Sequence, residues 1–149
     1  MALVDLITPE VVKVPLVAVD KYGVIDELIQ VLENAGKIGD KARVVDAIYK
    51  REALGSTGLE FGIAVPHAKT EEVKEITVAI GIAPQGIEFD AIDGKPSKLF
   101  FLILAAPDQS GPHIEALAEI AKLSRSKAFL EALIHASSAQ EVVDLFREE

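Results

Sequence analysis

The sequence predicts an α/β fold: a single-domain sandwich in which a mixed β-sheet is flanked by helices on both faces. Three observations predict it. Two amphipathic segments open the chain, strand-length apolar segments fill its middle, and helical periodicity returns at the end. The central segments lack the polar alternation of a half-exposed strand: residues 99–106 are apolar throughout, and residues 76–82 alternate only large with small side chains. Strands of that kind are buried on both sides, so helices must cover both faces of the sheet. Grouped helices, then strands, then helices also differ from strict βαβ alternation, which favours a mixed sheet.

Residues 20–36 read as the first helix, with Val24, Ile25, Leu28, Ile29 and Leu32 as its apolar stripe and Gly36 as its stop. The second covers about residues 40–54, capped by Asp40, striped by Val44, Val45, Ile48 and Tyr49, and ended by Gly55. Residues 61–65, 76–82 and 99–106 are the strands, and residues 11–17 are a candidate edge strand. Asp93-Gly94 signals a turn between residues 89–92 and the central strand. Residues 112–123 carry Ile114, Leu117, Ala118 and Ala121 at helical spacing; Phe129, Leu130 and Leu133 suggest a short helix, and residues 139–146 a last one.

The 149 residues suit one domain spanning 1–149, with no repeat, low-complexity tract or linker to divide it. There is no cysteine, so disulfides, thiolate metal sites and thiol nucleophiles are excluded. No apolar run is long enough to cross a bilayer and the start lacks signal-peptide character, so a cytoplasmic protein without stable membrane insertion is expected. Fifteen Lys and Arg against 24 Asp and Glu give a net charge of −9. Nucleic acid is an unfavourable partner for such a chain, because binding it needs clustered cations.

Chemistry narrows to few residues. Of the three histidines, His67 follows Pro66 in Gly62-Ile63-Ala64-Val65-Pro66-His67-Ala68. Proline fixes its own φ and holds Val65 extended, so the next side chain leaves the end of the apolar strand with little backbone freedom. A neutral imidazole is a usable nucleophile near pH 7. His113 lies in Ser110-Gly111-Pro112-His113, at a helix start where Ser110 or Gly111 can cap and where free N–H groups favour anions. Arg51 sits in the last turn of the second helix, where it can fork onto a phosphate, stabilise the helix end, or pair with Glu52 or Glu60. His135 reads as a helix-end residue without a role. There is no Walker loop, dinucleotide fingerprint or nucleophile elbow, and no close metal-ligand spacing; a metal-dependent hydrolase built on His67 and His113 is the reading from another class.

The segment Arg51-Glu52-Ala53-Leu54-Gly55-Ser56-Thr57-Gly58-Leu59-Glu60-Phe61-Gly62-Ile63-Ala64-Val65-Pro66-His67-Ala68 closely resembles the active-site signature of type-2 IIA domains. These are the fructose, mannitol and nitrogen-regulatory group of the phosphoenolpyruvate-dependent phosphotransferase system. Asp93-Gly94, Ala105-Ala106-Pro107, and His113 followed by Leu117 and Leu123 extend the resemblance along the chain. It implies that His67 accepts a phosphoryl group from the phosphohistidine of the carrier protein HPr and donates it to a IIB component. It implies that His113 orients or stabilises that group, that Arg51 supports the site, and that Thr57 and Glu60 are binding residues nearby. No metal or organic cofactor is implied. The IIB acceptor in this group is a cysteine, so the chain resembles a IIA whose IIB step occurs on another polypeptide or another part of a longer one. The same motif serves sugar transport and, as the alternative, a nitrogen-type regulatory protein whose phosphorylation state controls binding to partners.

Overall fold

The computed structural model describes residues 2–148. The first helix, α1 (Lys21–Asn34), begins where Asp20 accepts a hydrogen bond from the Gly23 amide at 2.8 Å. It ends in a left-handed Gly36 at φ 70°, with Lys37 N–H bonded to the Leu32 carbonyl at 2.9 Å and Gly36 N–H to that of Glu33 at 3.0 Å. Helix α2 (Lys41–Ala53) is capped by Asp40, which accepts from the Ala42 amide at 2.9 Å. Such caps contribute about 1 kcal/mol each. No helix among the described residues is long and apolar enough to cross a membrane.

Five strands form one mixed sheet: β1 (Val12–Lys13), β2 (Ile63–Ala64), β3 (His67–Lys69), β4 (Thr77–Ile87) and β5 (Ser97–Ala105). β1 lies parallel to β4, β4 antiparallel to β5, and both β2 and β3 parallel to β5. Ile63 pairs with Leu99 and His67 with Ile103, so β2 and β3 share one register along β5. They are two halves of a single edge strand interrupted at Val65-Pro66, the place in a sheet where a missing N–H is tolerated. His67 therefore does not lie past the end of an apolar strand, as the sequence suggests; it opens the second half of that strand.

Along β5 the side chains alternate between two cores. Leu99, Phe101, Ile103 and Ala105 face α3 (Ser110–Leu123), α4 (Lys127–Ile134) and α5 (Ala139–Glu148), while Phe100, Leu102 and Leu104 face α1 and α2. Uninterrupted apolar sequence thus means burial on both faces, as expected.

Four boundaries or phases differ from the sequence reading. β4 runs to Ile87 rather than stopping at Ile82, because an irregularity between Ile82 and Ile87 absorbs Pro84 and the left-handed Gly86. The strand read over residues 61–65 narrows to β2, because Phe61 and Gly62 both take positive φ and Phe61 lies exposed, while Asp93-Gly94 makes the expected turn. The candidate edge strand is only two residues long. Helix α3 starts at Ser110 with Gln109 at its cap position, and its buried face is His113, Ala116 and Ile120; Ile114, Ala118 and Ala121 are exposed. Alanines on several sides of α3 leave its phase ambiguous in the sequence.

Candidate functional site

His67 and His113 meet. Their ring centroids are 5.3 Å apart with the planes inclined by 72°. Side-chain alternation puts His67 on the same face as Ile63 and Val65, the face covered by α3. The true phase of α3 turns His113 inward toward it. Arg51, in the last turn of α2, borders the same groove, which has a volume of about 550 Å³ and is also lined by Asp46, Ala47, Lys50, Leu54, Ala68 and Lys69. Three cations against one carboxylate make this groove locally basic in a chain of net charge −9. Such a groove suits a doubly charged anion.

The His67 ring is oriented by its own strand. Its Nδ1 lies 2.7 Å from the Val65 carbonyl oxygen. A carbonyl only accepts, so Nδ1 carries the proton and donates, and Nε2 keeps its lone pair. The ring is half-buried, with one edge open to the groove. His113 is buried, and its Nε2 has no hydrogen-bond partner among the described residues. A buried polar nitrogen left unpaired is uncommon and costly. It is available to a group that enters the groove. Lys69 Nζ donates to Ser110 Oγ at 2.6 Å, tying β3 to the first turn of α3.

Burial pushes both imidazoles below the usual histidine range. For His67 the Arg51 guanidinium adds to that, while the bond to Val65 and the Glu52 carboxylate oppose it. For His113 the neighbouring His67 and Lys69 reinforce it. Both rings are therefore mainly neutral at pH 7. The unfolded chain, whose imidazoles titrate near about 6.5, binds more protons than the folded one below that pH. This stabilisation is fully present above that value and is lost as pH falls through the depressed midpoints. An NMR titration is expected to give midpoints for both rings below the ordinary imidazole value of about 6.5. Midpoints above it would contradict the site's electrostatics.

Arg51 pairs with neither Glu52 nor Glu60. Its Nη1 donates to the Gly55 carbonyl at 2.9 Å, tethering the loop that follows α2. Thr57 is buried with its hydroxyl donated to Glu52, so it is turned away from the groove. Glu60 lies elsewhere: it lines grooves with Phe61 toward the other end of β2, one of them shared with Lys95 and Lys98. A larger groove at that end, about 690 Å³, is lined by Phe61, Arg125, Leu130 and Ile134 and holds no histidine. His135 caps the end of α4, exposed and apart from the site. Among the described residues no three His, Asp or Glu side chains gather as metal ligands.

Sequence reasoning missed Glu52 and Lys21, which form an ion pair at 2.8 Å with the carboxylate fully buried. The signal was present: Glu52 follows Val44 and Ile48 at four-residue spacing, which places a carboxylate on the buried stripe of α2.

Compared with known proteins, residues 5–149 match the family described as "Phosphoenolpyruvate-dependent sugar phosphotransferase system, EIIA 2". The chain is 36% identical over 146 residues to the fructose-specific EIIA component of Haloferax volcanii, covering 97% of this chain and 95% of that protein. It is 34% identical over 148 residues to the fructose-specific EIIABC component of Bacillus subtilis, covering 99% of this chain but only 23% of that longer protein. Among solved structures it resembles the nitrogen regulatory protein IIA-Ntr of Neisseria meningitidis with a TM-score of 0.87 and 31% identity, over 96% of this chain and 97% of that one.

Proposed function

Because the chain belongs to the EIIA 2 family of the phosphoenolpyruvate-dependent sugar phosphotransferase system, we propose that it is a phosphocarrier domain spanning residues 1–149 that takes a phosphoryl group on His67 and passes it to a IIB component during sugar uptake. The observation that carries this reading is the His67 ring, its Nδ1 tied to the Val65 carbonyl at 2.7 Å and its Nε2 open to a basic groove. The donor is phospho-HPr. The Nε2 lone pair forms the new P–N bond while the P–N bond of the donor's phosphohistidine breaks, and the donor imidazole keeps that electron pair. Phosphorylated His67 retains its Nδ1 proton and becomes a cationic ring, and its bond to the Val65 carbonyl becomes charge-assisted. That bond steadies the adduct without quenching its reactivity.

The remaining residues supply position and charge, which is most of what phosphoryl transfer asks of a protein. Neutral His113 donates its unpaired Nε2–H to a phosphoryl oxygen. Arg51 and Lys69 set a positive potential at the groove, and Arg51 can exchange its bond to Gly55 for a phosphoryl oxygen. Charge-assisted bonds of this kind contribute roughly 1.5–3 kcal/mol each. The groove is open enough for two protein partners to reach His67 in turn, and a cytoplasmic setting follows from those partners.

Incubation with phosphoenolpyruvate, enzyme I and HPr is expected to add one acid-labile phosphoryl group to the intact mass. Absence of that adduct with a competent HPr overturns the reading. A His113→Ala variant is expected to accept the group but to pass it on at least about tenfold more slowly, since one donor bond is lost; the rate of IIB phosphorylation reads this. Wild-type speed in both steps would remove His113 from the mechanism. The likeness to the Neisseria nitrogen regulatory protein favours one second reading, a regulator whose phosphorylation state controls partner binding. Failure to phosphorylate any sugar-specific IIB, with partner capture that depends on the state of His67, would favour it.

A further inference from the structure

Glu52 is the one buried carboxylate among the described residues. It occupies a position on the α2 stripe where an apolar side chain would pack against the sheet without any desolvation cost. Its neighbours say what it does. Lys21 Nζ, which also lies 3.5 Å from Asp90 and 4.9 Å above the Phe89 ring, meets Oε2 at 2.8 Å. The Thr57 hydroxyl donates to Oε1, and the Thr57 amide lies 3.4 Å from Oε2. The Thr57 carbonyl in turn accepts from the Val65 amide at 3.0 Å. The other side of Val65 is the carbonyl that holds His67 Nδ1 at 2.7 Å.

Bonds thus run without a break from Lys21 through Glu52, Thr57 and Val65 to the imidazole. The loop that carries Thr57 is clamped from outside as well. Ser56 Oγ donates to the Phe89 carbonyl at 2.7 Å, and a Cβ on Gly58 would come within 2.8 Å of the Ala91 Cα. With the loop seated, what remains free is the rotation of Thr57 itself, and Glu52 removes that by taking both of its donors.

We infer that Glu52 is a positioning residue for phosphoryl acceptance: through Thr57 it fixes the Val65 peptide, and so the aim and tautomer of the His67 ring. The inference rests on the carrier reading of His67. It also gives Thr57 a role behind the strand rather than in the groove. Misaiming a nucleophile by a fraction of an ångström lowers the rate of attack without weakening partner docking.

The test joins ¹⁵N NMR of the His67 ring, at a pH where both rings are neutral, to the kinetics of transfer from phospho-HPr. Thr57→Val removes the hydroxyl at nearly constant volume, and Glu52→Ala removes the acceptor. Both are expected to replace the single-tautomer ¹⁵N pattern with an averaged one and to slow transfer at saturating phospho-HPr about tenfold, leaving the half-saturating concentration within about twofold. Glu52→Gln, which still accepts from Thr57, is expected to restore the single tautomer. If Glu52→Ala does not fold, Thr57→Val decides. A retained single tautomer in folded Thr57→Val overturns the inference, as does a lost tautomer at wild-type speed. If the wild-type protein takes no phosphoryl group while the variants still lose the tautomer, the carrier reading falls and the positioning of the ring stands.

Discussion

His67→Ala is expected to fold as the wild type does and to take no acid-labile phosphoryl group at all. The ring is half-buried at the sheet edge and belongs to neither apolar core, so its loss removes little packing. What it does remove is the side chain to which the proposed carrier role assigns the nucleophile, the group that would let one difficult transfer proceed as two easier ones. His113 also has an unpaired Nε2 among the described residues, but the residue is only 7% exposed, too enclosed to meet a phosphohistidine presented by another protein. The measurement is intact mass after incubation with phosphoenolpyruvate, enzyme I and HPr, with circular dichroism to check the fold. An adduct that survives in His67→Ala and disappears in His113→Ala would exchange the roles of the two histidines.

The largest stability effect is expected at Phe101. It is completely buried at the centre of β5 and meets the Phe146 ring edge-on at 6.3 Å; Phe146 meets Phe129 at 5.3 Å. These rings join the sheet to α5 and α4. Phe101→Ala leaves a cavity that interlocked aromatic rings cannot close, and the cost expected is about 3–5 kcal/mol. That is a large share of the roughly 5–15 kcal/mol that holds a typical domain folded. Urea unfolding should show a lower midpoint with an unchanged slope. Phe61→Ala is the control: that residue is 59% exposed, and loss of its ring should change stability by no more than about 0.5 kcal/mol. Equal effects at the two positions would mean that β5 is not the central packing element.

Much of the fold was legible because the signals were local. Asp20, Asp40 and Gly36 mark helix ends through bonds to residues within a turn of themselves. The unbroken apolar run of β5 announces burial on both faces. Legibility failed where a local signal was weak or where a distant partner decided. The apolar alternation of the second strand stops at residue 82, yet pairing with β5 carries β4 on to Ile87 through an irregularity. Ile114 reads as core, yet the packed face of α3 is the one bearing His113. Thr57 and Glu60 both stand near His67 in the sequence, but Thr57 turns back to Glu52 and Glu60 lines another groove.

By itself the sequence determined the two-faced sheet, the helices that cover it, and the Val65-Pro66-His67 segment that singles out one imidazole. These follow from periodicity and from backbone constraints that act within a few residues. The resemblance implied that His113 acts at His67, but only the tertiary structure decided how the two rings meet, and that Lys21, Glu52 and Thr57 stand behind the strand. Those contacts depend on the rotation of α3 about its axis and on which oxygen each donor reaches. Both are set by packing against the sheet, where a shift of one residue in phase would turn His113 out to solvent.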